Sequence, residues 1–315
     1  MKNFALTGVA GYIAPRHLQA IKDTGNNLVA ALDKHDSVGI MDRYFPNSSF
    51  FVEFERFERH LERLKRRSAS DAIDYLSICS PNFLHDAHIR LALRIGADAI
   101  CEKPIVLNPW NLDALQELEE ETGKKVYNIL QLREHDAIID LKKKVELENK
   151  NTKHDIELTY ITSRGLWYDF SWKGVQEQSG GVATNIGVHF FDMLGWIFGK
   201  VQSSKIYLKE KRRVSGFLEF EKANVTWYLS LEKEDLPDKA VQEGKPTYRS
   251  LKLDGEEFHF SDGFTDLHTK VYKSILNGNG FGLDDARQSI EIVHEIRNKE
   301  ISALLDNPHH YLINN

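Results

Sequence analysis

The chain has 315 residues, 41% hydrophobic and 28% charged, with a formal net charge of −6. That length is more than one core needs and implies two domains, while the composition excludes a disordered chain. The acidic balance argues against nucleic acid or an anionic membrane as the main partner, and the two cysteines, Cys79 and Cys101, exclude a disulfide framework.

The first 130 residues alternate short apolar runs with amphipathic ones. NFALTGVA, NNLVAALD, IDYLSICS, DAICEKP and KVYNILQL read as strands. PRHLQAIKDTG, FERFERHLERLKRR, HDAHIRLALRIG and PWNLDALQELEEETG read as the helices between them. Buried, non-alternating strands separated by helices predict an α/β unit with a parallel, doubly wound sheet. Phe51, Phe54, Phe57, Leu61 and Leu64 are expected on the buried side of the second helix. No apolar run reaches the length of a membrane span, so a cytoplasmic protein with no membrane partner is expected.

Beyond this point the pattern changes. A charged helix (REHDAIIDLKKKVELENK) and a strand (DIELTYITSR) lead to an unusually apolar helix, SGGVATNIGVHFFDMLGWIF. SSKIYLKE, VSGFLEFEK, ANVTWYLSLE, YRSLKLDG and EEFHFS then read as alternating strands, followed by helices around FTDLHTKVYKSILNG and DDARQSIEIVHEIRN. The alternation predicts an α+β unit with an open-faced, mostly antiparallel sheet, whose free face a second subunit would cover. The expected division is residues 1–130 and 131–315.

The first strand runs into Gly8-Val-Ala-Gly11, and Asp33 ends the second strand 22 residues after Gly11. Glycines at a strand-to-helix turn admit a pyrophosphate, and a carboxylate about 20 residues on suits a ribose, favouring NAD over NADP. The fingerprint is imperfect, with Ala10 and Ile13 where glycines would stand, and Asp33 could instead cap a turn. Two further strand ends carry polar groups: Ser80-Pro81-Asn82 leading to His85, and Glu102-Lys103-Pro104. Gln131 and Arg133, just past the last parallel strand, are placed toward the nicotinamide end. His85 and His88 have the helical spacing of metal ligands, but no partner completes a set, so no metal is expected.

In the apolar helix, Asn185, His189, Asp192 and Trp196 fall at i, i+4, i+7 and i+11, which places them on one stripe. A satisfied core histidine competes with a catalytic one there. Asp192 and Trp196, deeper along the stripe, are read as structural.

GVAGYIAPRH, CSPNFLH, CEKP and GGVATNIGVHFFD, in this order, resemble the glucose–fructose oxidoreductase and inositol dehydrogenase superfamily. NILQLR, LTYITSRG, SWKG, KPTYRS and FSDGFTDLHT extend the likeness toward its branch of sugar-nucleotide 3-dehydrogenases of O-antigen synthesis. The resemblance implies a Rossmann domain binding NAD, then a substrate domain, usually in a homotetramer. It implies that Lys103 and His189 are catalytic, with Asn185 beside them where many members carry aspartate. Gly8, Gly11, Tyr12, Ile13, Asp33, Ser80, Asn82, His85, Glu102 and Lys103 match segments of the NAD site, with Gln131 beside them. The implied substrate is a UDP-sugar uronic acid, with 2-oxoglutarate as a second, NAD-regenerating partner. Its diphosphate and carboxylate call for cationic forks, for which Arg164, Lys173 and the run Tyr248-Arg249-Ser250 are candidates. A dehydrogenase of a free polyol and a non-catalytic NAD-binding sensor remain the alternatives.

Overall fold

The computed structural model describes residues 1–260, 266–303 and 308–313. The chain forms two compact units, Met1–Gln131 with Asp266–Arg287, and Leu132–Thr265 with Gln288–Asn315. The expected division near residue 130 is therefore amended, because the segment from Asp266 to Arg287 groups with the first unit.

The first unit holds β1 (Asn3–Thr7), α1 (Ala14–Asp23), β2 (Asn27–Leu32), α2 (Ile40–Tyr44), β3 (Ser49–Phe51), α3 (Phe54–Arg67), β4 (Tyr75–Ile78), α4 (His85–Ile95), β5 (Asp98–Cys101), α5 (Pro109–Thr122) and β6 (Val126–Asn128). Its strands pair in parallel in the order β3-β2-β1-β4-β5-β6. That is the dinucleotide-binding order, with its switch point between β1 and β4. Gly8, Asp33, Cys79 and Glu102 each follow a strand directly, so they gather at the C-terminal edge of this sheet, where ligands of such folds bind. β3 is an addition: Phe51 sits in this strand rather than on α3, whose buried residues are Phe57 and Leu61.

The returning helix α11 (Leu267–Leu276) explains the amended boundary. Val271, Tyr272 and Ile275 belong to the same buried cluster as Phe4, Leu6, Leu18 and Ile21, and the Tyr272 ring stacks on Phe4 with centroids 5.9 Å apart. An amphipathic stripe is legible locally, but its partner on α1 lies some 250 residues back in the chain (Tyr272 to His17 is a separation of 255).

The second unit begins with α6 (Asp136–Leu147) and β7 (His154–Thr162), then α7 (Trp167–Phe170), α8 (Gln176–Ser179) and α9 (Val188–Phe198). β8 (Val201–Lys209), β9 (Arg213–Phe220), β10 (Ala223–Ser230), α10 (Asp238–Gln242), β11 (Thr247–Leu253) and β12 (Glu256–Glu257) follow, and α12 (Leu283–Asn298) ends in this unit. The sheet order is β12-β11-β7-β10-β9-β8, antiparallel except for the β7–β10 pair. The last expected strand, EEFHFS, is reduced to the two residues of β12.

Alternation sorts this sheet into two faces. Tyr160, Trp227 and Arg249 face α9, where Phe191 meets Trp227 at 5.3 Å between ring centres. Helix and strand approach so closely that a Cβ on Gly187 would lie 2.6 Å from Leu229 Cδ1. Thr159, Tyr228 and Tyr248 occupy the other face. There the chain's own residues His309 to Tyr311 lie on the sheet, with Tyr311 stacked on Tyr228 at 4.9 Å and His309 bonded to Thr159 Oγ1 at 3.0 Å. The expected free face is thus partly covered from within.

Candidate functional site

The glycine turn of the first unit is built around one position that only glycine fills. Gly8 has φ +82°, and a Cβ there would sit 2.5 Å from the carbonyl oxygen of Cys79. Its N–H donates to Leu32 O at 2.7 Å, and Gly11 N–H donates back to Gly8 O at 3.0 Å. Asp33 closes the turn from the next strand: its carboxylate accepts from the Ala10 and His35 N–H groups, each at 3.0 Å. It therefore caps a turn and ties β2 to the glycine loop at once. Tyr12 projects into solvent, 91% exposed, while Ile13 packs against the core below.

The next two strand ends are braced by buried histidines. Ser80 Oγ lies 2.9 Å from His88 Nδ1, which also meets Thr7 Oγ1 at 3.1 Å. Burial pulls the His88 pKa down to about 4, so this ring is neutral. His85 does not point outward: its Nδ1 is 2.7 Å from Pro104 O and its Nε2 2.8 Å from Ser80 O. Both nitrogens are committed to carbonyls, so its place is between the two loops rather than against a ligand. Burial lowers its pKa, opposed by those two carbonyls. Asn82 is buried at the start of a short 3₁₀ turn (Asn82–Leu84) between them.

Glu102 is likewise turned inward. One oxygen lies 2.9 Å from His17 Nε2 and 2.9 Å from His268 Nε2, and the other accepts the Lys103 N–H at 3.2 Å. Desolvation by burial would raise its pKa, but the two imidazoles outweigh it and hold the carboxyl well below its ordinary value. The pKa of His17, fully buried, is lowered as well, by desolvation, which favours its neutral form although Glu102 opposes this. His17 and His268 carried no role in the sequence reading, although both stand in segments quoted for the resemblance. Gln131 opens a 3₁₀ turn past β6, and its Oε1 is buried without a hydrogen-bond partner among the described residues. A glycine cradle that a Cβ would fill and an orphaned amide oxygen at the same sheet edge both fit a dinucleotide.

In the second unit the predicted stripe divides. Residues Ala183–Gly187 form a π-turn, a form that recurs at functional sites, before α9 begins at Val188. Asn185 therefore sits on a wider turn than plain α-helical spacing implies. Asn185 and His189 stay half-buried among buried neighbours, whereas Asp192 is 4% exposed and forms a two-pronged pair with Arg133 at 2.7 and 3.0 Å. Trp196 lies under the cations of Arg133 and Lys142, at 5.7 and 5.0 Å. Arg133, expected toward the nicotinamide, is instead the structural partner of Asp192.

Asn185 Nδ2 donates to the hydroxyl of Tyr168 at 2.7 Å, and Tyr168 is buried. Tyr168 also lines a cavity of about 80 Å³ with Lys173, Gly180, Gly181 and Arg297. Lys173 Nζ stands 5.4 Å from the Trp167 ring and 5.6 Å from that of Trp172. Burial, with Arg164 nearby, lowers its pKa. Tyr168 stands in a short aromatic segment, Trp167–Phe170, with no motif around it to mark it in the sequence.

The His189 ring packs against Phe190 at 4.2 Å and Tyr160 at 6.1 Å between centres. The guanidinium of Arg249 lies 5.6 Å from Tyr160, 5.7 Å from Phe190 and 5.6 Å from Phe260, on the same face. Its two chain neighbours do not share that place. Tyr248 packs with Tyr228 and Leu312 on the opposite face, and Ser250 Oγ donates to Glu257 there at 2.7 Å. The run Tyr248-Arg249-Ser250 was read as a block, but strand alternation sends only its middle residue toward His189.

Residues 2–129 match the model of an oxidoreductase family with an NAD-binding Rossmann fold, and residues 153–288 match that family's C-terminal alpha/beta domain. The chain is similar to the WlbA (WbpB) dehydrogenase of Thermus thermophilus solved with NAD and alpha-ketoglutarate. The two are 48% identical with a TM-score of 0.95, covering 99% of this chain and 100% of that one. The same enzyme solved with NAD and UDP-GlcNAcA superposes with a TM-score of 0.94 at 48% identity, again over 99% and 100% of the chains. A likeness to D-glucoside 3-dehydrogenase of Escherichia coli strain K12 is 28% identical over 134 residues, 40% of this chain but only 36% of that protein.

Proposed function

This chain belongs to the Gfo/Idh/MocA oxidoreductase family, whose first domain binds NAD, and from that premise we propose that it oxidises the C3 hydroxyl of UDP-N-acetylglucosaminuronic acid to a ketone. The reading is carried by its full-length likeness to a dehydrogenase solved with both NAD and UDP-GlcNAcA. The half-buried pair Asn185 and His189 in a largely buried helix, with Arg249 behind, supports it from geometry.

Bound NAD supplies the acceptor for the hydride that leaves C3. Gly8, Gly11 and the α1 N-terminus would hold its pyrophosphate, Asp33 its ribose, and Gln131 its carboxamide end. His189 takes the hydroxyl proton as C3 becomes a carbonyl, the general-base task that an imidazole nitrogen performs. Lys103 donates to the same oxygen and stabilises the charge developing on it. Asn185, fixed by Tyr168, orients the sugar, since an amide cannot neutralise an imidazolium. Arg249, which lies within 5.7 Å of three aromatic rings, receives a carboxylate, and Lys173 with Arg164 takes the diphosphate. 2-Oxoglutarate would take the hydride back from the reduced nicotinamide at its keto carbon, with His189 protonating the keto oxygen, to give 2-hydroxyglutarate and oxidised cofactor.

The reading extends to a cytoplasmic homotetramer serving O-antigen and lipopolysaccharide synthesis; among the described residues no helix is long and apolar enough to cross a membrane. The test mixes NAD-loaded protein with UDP-N-acetylglucosaminuronic acid and follows reduced nicotinamide by absorbance. UDP-N-acetylglucosamine and a free polyol serve as controls. A signal specific to the uronic acid and discharged by 2-oxoglutarate is expected. A signal with the polyol alone would remove the substrate assignment, and light scattering showing a monomer would remove the tetramer.

A further inference from the structure

We propose that His17, His85 and His268 are positioning residues that set the side chain of Lys103 by pinning its two chain neighbours. The inference rests on the reading above that Lys103 takes part in the reaction. A lysine ammonium ends a flexible four-carbon stem, so its reach is governed by the backbone frame from which it starts. That frame is held on both sides. Before Lys103, one oxygen of Glu102 receives His17 Nε2 from α1 and His268 Nε2 from α11, both at 2.9 Å. After Lys103, the carbonyl of Pro104 meets His85 Nδ1 from α4 at 2.7 Å. The N–H of Lys103 itself is bound by Glu102 at 3.2 Å.

The proton arrangement follows from the acceptors. A carboxylate only accepts, so both Nε2 atoms donate to Glu102. His17 Nδ1 is then an acceptor, filled by the hydroxyl of Tyr272 at 2.8 Å, and Tyr272 in turn accepts from Ser77 Oγ at 2.6 Å. The chain Ser77, Tyr272, His17, Glu102 thus has one direction, and every member is buried. His17, Glu102 and His268 bring three ligand-type atoms within 4.8 Å of one another, but the hydrogen bonds among them already account for that spacing. A core built only for stability would fill this volume with apolar side chains. A satisfied polar network costs desolvation and returns a single fixed geometry. It is spent at the one turn that carries the reacting lysine, and it recruits α11 from the far end of the chain to do so.

The deciding experiment compares His268→Leu, which removes a donor, with His268→Gln, which keeps one. His268→Leu should lower kcat about 10- to 100-fold, the cost of a misplaced group, with KM for the nucleotide sugar and NAD affinity within about threefold. His268→Gln should recover most of the loss. In a Lys103→Met background the leucine substitution should cost nothing further, because its effect passes through Lys103. A general loss of folding would instead add in both backgrounds. Crystal structures of the two NAD-bound variants should show the Lys103 ammonium displaced by about 1 Å or more in the leucine form and restored in the glutamine form. Unchanged kcat with an unmoved lysine, or full additivity with Lys103→Met, would overturn the proposal. If His268→Leu does not fold, His85→Gln carries the same comparison from the Pro104 side. If the wild type turns over no nucleotide sugar, the substrate reading falls, and the position of Lys103 in the two crystals still decides this one.

Discussion

The two units spend their polar side chains differently. In the first, Asp33, Ser80, His85 and Glu102 are bound to backbone groups or to buried histidines, so the ligand is met by a framework those side chains hold from behind. In the second, Asn185, His189, Lys173 and Arg249 remain half-buried, and aromatic rings or a tyrosine hydroxyl aim them. A substitution in the first unit should therefore damage geometry, and one in the second should remove a single interaction.

The largest expected effect lies in the second unit and would break the comparison if absent. His189→Asn should suppress hydride transfer by about 10²- to 10⁴-fold while NAD binding, measured by fluorescence titration, stays intact. Near-normal turnover would show that the proton goes elsewhere. In the first unit, Gly8→Ala places a Cβ 2.5 Å from Cys79 O at a backbone angle side chains rarely adopt. A destabilisation of about 1–3 kcal/mol together with lost NAD affinity is expected, read by chemical denaturation and titration. Unaltered affinity would mean the cradle is not where the pyrophosphate lies.

Strand β11 sharpens the contrast within one unit. Arg249→Ala should raise KM for the nucleotide sugar about 10-fold or more, whereas Tyr248→Phe and Ser250→Ala should leave kinetics within about twofold. Equal effects at all three positions would contradict the division of faces.

Acidification should weaken both units alike. His88 in the first and His309 in the second are both held neutral by burial, each with its pKa lowered from 6.5 to about 4. Unfolded, each binds its proton near 6.5, so the unfolded state carries more protons below that pH. The stability they permit is complete above about pH 6.5 and drains away as pH falls toward 4, by up to about 3 kcal/mol for each ring. Denaturation midpoints between pH 7 and pH 4.5 should fall in the wild type and fall less in His88→Gln. An identical slope in that variant would remove His88 from the account. Asp33→Ala should give the smallest change, a loss of NAD affinity of about 10-fold with about 1 kcal/mol of stability lost as the Ala10 and His35 N–H groups lose their acceptor.

Much of this was legible along the chain. The long parallel strands read as continuous apolar runs, and the helix at Phe54–Arg67 could be read to the residue from its spacing. β3 could not, because three residues, Ser49–Phe51, are too few to show a strand period so close to the helix that starts at Phe54. The lysine and histidine of the proposed chemistry stand in motifs, so the resemblance reached them. The residues behind them, Tyr168, His17 and His268, are defined by what they touch across long separations, 85 residues for His17 to Glu102 and 166 for His268 to Glu102. Local pattern carries no such information. The face of Tyr248 was within reach of period-two alternation; treating a tripeptide as one site hid it.

The return of α11 to the first unit bears on how the chain is made. Synthesis delivers β1 through β6 early, but the cluster around Phe4 and Leu18 still lacks Val271, Tyr272 and Ile275 when residue 131 appears. The nascent sheet must therefore wait, through the whole synthesis of the second sheet, for the helix that completes its core. A fragment ending at residue 131 would expose that seam permanently, so the smallest self-sufficient piece of the NAD-binding unit is an insertion host, not an amino-terminal half.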